Sequence, residues 1–249
     1  MIPPEPPLEI VQTAPEPTHN DAFWDYSDLG LFITLAIASL FASLLLVRFI
    51  PVLHSLPDAY KLLLGQLIWY VLIFCCLAVI LRARYAAPFW KALGWNPPRF
   101  GNAFSSFAAG PAIAIGLGAI GAAMHTPPMP LAFEKMLNTT ALVLLFGSLV
   151  VLIGPLCEEL GFRGFIMPLL IRSLGPGAGI VITGILFGLL HGFEYPDWRP
   201  VALIATAGVI FGWRRYKTGS TVNSALMHAG FNLTQFVALM AAKHANLLR

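Results

Sequence analysis

The stretch Cys157-Glu158-Glu159-Leu160-Gly161-Phe162-Arg163-Gly164-Phe165 sets two adjacent carboxylates and a guanidinium inside one of the most apolar regions of a 249-residue chain. Ionisable side chains at membrane depth are costly, face a bundle interior or a water-filled cavity, and mark functional sites. On a helix, Glu159 and Arg163 are four residues apart and share a face, so they can pair. Glu158 is rotated about 100° from that face and stays free of the pair. Two further polar groups follow in apolar surroundings: Phe187-x-x-x-His191 and His228-x-x-x-Asn232. His228 and Asn232 also project together, and Phe187 lies one turn below His191, where it can pack under the imidazole. A buried carboxylate can act as a general base. A histidine N–H and an asparagine amide are suitable donors to a developing negative charge.

The elements that must carry these residues are spanning helices. The chain is 57% hydrophobic and 11% charged, with a mean hydropathy of +0.76. Soluble domains carry about 25% charged residues, so this composition specifies an integral membrane protein. A formal net charge of +3 with no basic run interleaved with aromatics gives no sign of a nucleic-acid partner. Cys75, Cys76 and Cys157 form neither a disulfide framework nor a metal motif, and the first two read as lipid-facing or packed small residues. Residues 1–28 are rich in Pro and acids, lack Lys and Arg, and read as an extended or disordered tail, with no secretory signal pattern. Phe23-Trp24-Asp25-Tyr26 at its end reads as an interfacial aromatic anchor. Residues 29–249 form the membrane domain.

The apolar segments 29–53, 60–82, 103–124, 139–173, 177–193, 199–215 and 221–243 give an all-α polytopic bundle of about seven transmembrane helices, or eight on a different division, with the site inside the last four. Residues 84–101, basic and aromatic, read as an interfacial amphipathic stretch. Gly184/Gly188 and Gly208/Gly212 are GxxxG pairs, a pattern for close helix packing that also arises by chance in Gly-rich chains. The segment 139–173 would be about 50 Å long as one helix, beyond a roughly 30 Å hydrocarbon core; it must tilt, kink at Pro155 or project from the bilayer. Gly175-Pro176-Gly177 turns the chain back. Glu158 lies about as far before that turn as His191 lies after it, so the two reach the same depth. Arg82, Arg84, Lys91, Arg99, Arg172 and the cluster Arg214-Arg215-Lys217 fall on one side. The positive-inside rule puts that side, with the N-terminus and the Gly175 turn, in the cytoplasm. His228 starts from the same side, which predicts a cavity in the cytoplasmic half and a substrate met from the cytoplasm.

Glu158-Glu159-x-x-x-Arg163, Phe187-x-x-x-His191 and His228-x-x-x-Asn232, in that order, resemble the three-motif signature of the CPBP family. These are intramembrane proteases related to CAAX prenyl endopeptidases and to bacteriocin self-immunity proteins. Phe89-Trp90-Lys91-Ala92-Leu93-Gly94-Trp95 and Arg215…Thr218-Gly219-Ser220 resemble the family more weakly, and the specific likeness covers about residues 140–240. The resemblance implies that Glu158 and His191 activate a water for attack on a peptide carbonyl, that His228 and Asn232 hold the oxyanion, and that Glu159 with Arg163 holds and tunes the site. The substrate implied is a membrane-associated protein or peptide, and the location a membrane, the plasma (inner) membrane in a bacterium.

The same Glu158, His191 and His228 make a His₂Glu set suited to catalytic zinc. No HExxH helix is present, and Asn232 fits a donor pair better than a ligand set, so the metal-independent glutamate mechanism is favoured. Two rival functions use the same residues: a proton-coupled transporter, against which the absence of a visible repeat counts, and a non-catalytic immunity or scaffold protein. Glu194, Asp197 and His125 read as solvated loop residues, His19, His54 and His244 carry no argument, and Arg48 snorkels. Arg214, Arg215 and Lys217 read as topogenic.

Overall fold

The structure, a computed structural model, describes residues 22–127, 133, 135–195 and 197–245. Those residues are helical with short connections, and no strand occurs among them. Helix α1 (Tyr26–Phe49) begins at a capping box. The Asp25 carboxylate accepts from the Ser27 and Asp28 N–H groups, and Asp28 accepts from the Asp25 N–H. After the single turn α2 (Pro51–His54), α3 (Asp58–Tyr85) returns along α1. Then come the short α4 (Phe89–Ala92) and α5 (Phe100–Ala123).

The segment carrying the two glutamates is a broken helix. Helices α6 (Thr140–Ser148) and α7 (Gly154–Glu159) alternate with π-helical turns at Leu149–Ile153 and Leu160–Ile166, before α8 (Met167–Leu190). Pro155 lacks an N–H to continue the α ladder, and the π turn ahead of it absorbs the defect. Such turns are frequent at functional sites. Within α8 the chain reverses at Gly175, whose φ of 80° and ψ of 165° lie outside the helical region. That positive φ favours Gly. The legs run side by side: the Phe162 and Phe187 rings are 5.2 Å apart, which bears out the hairpin read from Gly175-Pro176-Gly177. A short 3₁₀ turn (His191–Phe193) leads to α9 (Trp198–Thr218) and α10 (Thr221–His244).

Among the described residues, five helical stretches are long and apolar enough to cross a membrane: α1, α3, α5, Thr140–Phe193 and α10. The seven-span division differs from this in two places. Thr140–Phe193 is a single 54-residue stretch that contains the Gly175 reversal. Helix α9, with Arg199, Arg214, Arg215 and Lys217, is not among the five.

Small residues set the helix contacts. A Cβ on Gly184 would lie 2.7 Å from the Val209 nitrogen, and one on Gly188 2.7 Å from the Val201 oxygen. Both GxxxG pairs therefore pack α8 against α9. Gly110 and Gly230 do the same for α5 and α10, a pairing the spacing of the sequence did not display.

Hydrogen bonds define the two ends of the bundle. At one end Arg172 donates to the Ala22 carbonyl (2.5 Å), the Thr221 N–H to Gly94 (2.9 Å), and Arg214 Nη2 to Asn102 (2.9 Å). At the other, Arg199 Nη1 donates to the carbonyls of Met124 and His125, both at 2.8 Å, and Lys243 donates to Leu137.

Four sequence expectations change here. Residues 1–21 of the Pro-rich tail lie outside the described residues, but residues 22–28 lead into α1, with Ala22, Trp24 and Asp28 buried. Trp24 is not an interfacial anchor: it is 1% exposed, stacks on Phe165 and donates its indole N–H to the Phe165 carbonyl at 3.1 Å. An indole with a satisfied N–H gains more by filling the core than by lying in the headgroups. The 84–101 stretch does not merely lie on the surface either. Leu93 is fully buried, and its carbonyl accepts from Thr221 Oγ1 at 2.7 Å. Finally, Arg214 and Arg215 are more than topogenic. Arg214 binds Ser105 and Ser106 of α5, and buried Arg215 donates from Nε to Thr221 Oγ1 at 2.9 Å.

Candidate active site

Glu159 and Arg163 lie on the inward face of the α7/π segment and are both fully buried. Arg163 Nη1 donates to Glu159 Oε1 at 2.7 Å, and Nη2 donates to the Gly208 carbonyl at 2.7 Å. The guanidinium carbon sits 4.5 Å from the Phe187 ring centre and 5.6 Å from that of Phe211. A charge so placed is tolerable because it is paired, hydrogen-bonded and faced by aromatic rings. The pairing expected from the i,i+4 spacing is thus observed, and it leaves Glu158 on a different face.

Glu159 has a second partner. Its Oε1 lies 3.1 Å from His228 Nδ1. A carboxylate can only accept, so His228 carries its proton on Nδ1 and turns Nε2 toward Glu158, whose Oε2 is 3.8 Å away. The imidazole is stacked on Phe211 at 4.7 Å and meets Phe187 edge-on at 5.6 Å. His228 is therefore fixed in tautomer by Glu159 and in orientation by two rings.

Glu158 is partly exposed, with 19% of its side chain accessible, and it faces a cavity of about 390 Å³. Tyr70 of α3 donates its hydroxyl to Glu158 Oε1 at 3.1 Å, and Gln66 Nε2 donates to the same hydroxyl at 3.0 Å. His191 lines the cavity too. Its Nδ1 lies 2.9 Å from the Phe187 carbonyl, an acceptor, so the proton sits on Nδ1 and Nε2 keeps its lone pair. Asn232 completes the polar lining; one of its amide hydrogens is committed to the Val150 carbonyl at 2.8 Å, in the first π turn. All four residues expected to do chemistry, Glu158, His191, His228 and Asn232, border this one cavity. Most of the remaining wall is apolar, including Phe146, Leu149, Leu203 and Phe231.

Two features went unread in the sequence. Gln66 and Tyr70 carry the one available signal, two polar side chains at i,i+4 in an apolar span. Glu194 reads from sequence as a solvated loop residue, yet it lies at the cavity rim. Part of its side chain reaches the surface, but the protein around the carboxyl withdraws water and raises it above the ordinary carboxylate range. His191 pulls in the opposite direction, and Glu158 adds to the rise.

The cavity extends toward one end of the bundle. Leu62, Thr126, Pro127, Glu194 and Pro200 line it at the end marked by the Arg199–Met124 contact, away from the Gly175 turn and the basic cluster.

Zinc is the group the His₂Glu reading implies. Among the described residues, no three His, Cys, Asp or Glu side chains are grouped so as to hold an ion. His228 and His191 each commit Nδ1, to Glu159 and to the Phe187 carbonyl, and keep Nε2 available, as histidine ligands do; Glu158 accepts from Tyr70. As placed, Glu158, His191 and His228 are not grouped closely enough to hold an ion.

Residues 140–234 match a protein-family model described as Rce1-like, type II CAAX prenyl endopeptidase Rce1-like. The match supports a CAAX-type intramembrane protease in general terms, hence a peptidase, and agrees with the five membrane-length apolar stretches. Glu158, Glu159, Arg163, His191, Glu194, His228 and Asn232 fall inside it; Gln66, Tyr70 and Thr126 do not. No curated protein and no solved structure matches the chain.

Proposed function

We propose that the protein is an intramembrane endopeptidase that hydrolyses a peptide bond of a membrane-associated protein or peptide, by a glutamate mechanism. The observation that carries this reading is the convergence of Glu158, His191, His228 and Asn232 on one cavity within the matched segment. Glu158 takes a proton from a water held between it and His191 Nε2, the water attacks the scissile carbonyl, and Glu158 returns that proton to the leaving amine as the C–N bond breaks. The base must reach its water directly, and both groups turn toward the same space. The oxyanion forms beside His228 Nε2 and the free amide hydrogen of Asn232. To donate from Nε2 while Nδ1–H faces Glu159, His228 must carry both protons. Glu159 then answers two cations, Arg163 and His228, and Glu158 supplies the second negative charge of the cluster. Donors fixed in a dry cavity stabilise such an anion without reorganising.

The apolar wall suits an extended segment with apolar side chains, presented from the bilayer. A prenylated chain end, the substrate class in the matched family's description, is one such case. In a bacterium the membrane would be the plasma membrane.

The test is a cleavage assay on the purified protein with metal analysis and a chelator arm. Glu158→Gln is expected to lower kcat by ~10²–10⁴-fold, the usual range for a general base, with folding intact. Full turnover in that variant overturns the reading. Stoichiometric zinc lost together with activity overturns the metal-independent mechanism and leaves the peptidase.

A further inference from the structure

The cavity is walled mostly by carbon, yet a peptide lying in it must still satisfy its main chain. Each N–H and C=O of an extended segment gives up water on entry and has no partner within its own strand to replace it. Glu158, His191, His228 and Asn232 serve the scissile bond alone. Besides Asn232, the cavity carries two side-chain amides, Gln66 of α3 and Gln235 of α10. Both fall outside the matched segment 140–234.

Gln66 is half committed. Its Nε2 donates to the Tyr70 hydroxyl at 3.0 Å, and that hydroxyl donates in turn to Glu158 Oε1 at 3.1 Å. This uses one amide hydrogen and leaves the second, with the carbonyl oxygen, for another partner. Gln235 makes no hydrogen bond among the described residues. It follows His228 by seven residues and Asn232 by three, so it points within about 20° of the His228 direction and lies about 10 Å further along α10. Phe231, Phe236 and Leu239 line the cavity around it, and the amide interrupts an otherwise apolar wall. Gln66 is one turn, about 6 Å, from Tyr70. Leu63, just before Gln66, and Leu239, just after Gln235, belong to one apolar cluster. Both amides are thus displaced toward the same end from Glu158 and His228.

An extended chain advances about 3.3 Å per residue. A peptide with its scissile carbonyl at His228 and Asn232 therefore presents main-chain groups to Gln66 about two residues from the cut, and to Gln235 about three. A primary amide offers one acceptor and two donors, the complement of a peptide unit whatever side chain it bears. We propose that Gln66 and Gln235 form a main-chain subsite, which holds an extended peptide by its own amide groups on one side of the scissile bond. The peptide as occupant rests on the proposed peptidase activity. Affinity gained this way is independent of the substrate side chains at those positions, and through Tyr70 the Gln66 amide links the grip to the base.

The test compares wild type with Gln235→Met and Gln66→Met, which keep side-chain length and lose the amide. The probe is a prenylated CAAX peptide, with versions in which one backbone N–H at a time is replaced by an ester oxygen at the first few positions on either side of the cut. Gln235→Met is expected to raise KM by about 3–10-fold with kcat nearly unchanged, as for lost uniform binding through neutral hydrogen bonds. One ester should raise the wild-type KM by a similar factor and leave that of Gln235→Met where it is. Gln66→Met should lose its sensitivity at a different ester, nearer the cut, and also lower kcat, because Tyr70 loses its donor. Ester penalties equal in wild type and both Met variants at every position overturn the proposal, whatever the variants do to stability. If wild type cuts none of the peptides, the peptidase reading fails, and fluorescence anisotropy of the labelled peptides decides the subsite. Affinity lost in Gln235→Met for the parent peptide but not for one of the esters keeps it; equal affinities, or no binding, remove it.

Discussion

At the scale of single residues, the site separates charges that bear structure from those that face the cavity. Arg163 holds Glu159 and Gly208 from a position with no access to water. Arg163→Ala would strand a buried carboxylate, and breaking such a pair costs about 3–5 kcal/mol. The expected result is a large fall in thermal stability in detergent. The double variant Arg163→Ala/Glu159→Ala should be less unstable than Arg163→Ala alone, and strict additivity would refute the pairing. Tyr70 acts differently. It sits outside the matched segment and donates to Glu158, so Tyr70→Phe removes one charge-assisted hydrogen bond worth about 1.5–3 kcal/mol while keeping the ring. A fall in kcat of roughly 10–100-fold with little change in melting temperature would show that this hydroxyl holds the base. Glu194 gives a pH signature with a definite sign. Its folded-state pKa is raised, so folding favours the protonated form; that stability is present at low pH and lost as pH rises from the ordinary carboxylate range through the raised value. Wild type should therefore lose thermal stability relative to Glu194→Gln across that window, and parallel pH curves would count against a raised rim carboxyl.

At the scale of elements, the motif spacing told more than the hydropathy did. Three polar motifs at i,i+4 named the inward faces of α7, α8 and α10, and the Gly175 reversal matched the depths of Glu158 and His191. What spacing could not show was the interruption of the α ladder. The two π turns around α7 add residues without adding turns, which changes both the rotation of Glu159 relative to His228 and the reach of the Gly175 leg; neither leaves a trace in the 3.6-residue period. Close contacts between helices were legible only where glycines repeat at four, as with Gly184 and Gly188. A larger residue at Gly188 would push against the Val201 carbonyl of α9, and α9 carries the Gly208 carbonyl that Arg163 uses. Gly188→Leu is thus expected to lower thermal stability by about 1–3 kcal/mol or more through overpacking. It should also reduce activity, although no atom of residue 188 belongs to the proposed catalytic set. Retention of both would mean the α8–α9 contact is softer than its spacing implies.

At the scale of the whole molecule, the chemistry and its support come from different parts of the chain. Every residue proposed to act on the scissile bond lies within 140–234, yet the preceding helices hold that segment on three sides. Tyr70 and Gln66 of α3 anchor Glu158, Trp24 caps the second π turn through the Phe165 carbonyl, and Leu93 fills the notch at Gly164 and receives Thr221. Helix α5 closes against α10 through Gly110 and Gly230. Removing these partners would expose Phe165, Leu160 and Leu169 and leave Glu158 without its donor. Lipid could cover the apolar rings, but it has no hydrogen bonds to offer Glu158 or the Phe165 carbonyl, and unsatisfied polar groups in hydrocarbon cost several kcal/mol each. The segment 135–249 expressed alone should therefore insert without forming the site, accumulate poorly and show no cleavage. Supplying residues 1–127 as a separate chain should restore activity, because the contacts between the two parts are side-chain and backbone hydrogen bonds that do not require a continuous chain. An active isolated 135–249 segment would show that the first three long helices serve insertion or substrate access and leave the geometry of the catalytic groups to the matched segment alone.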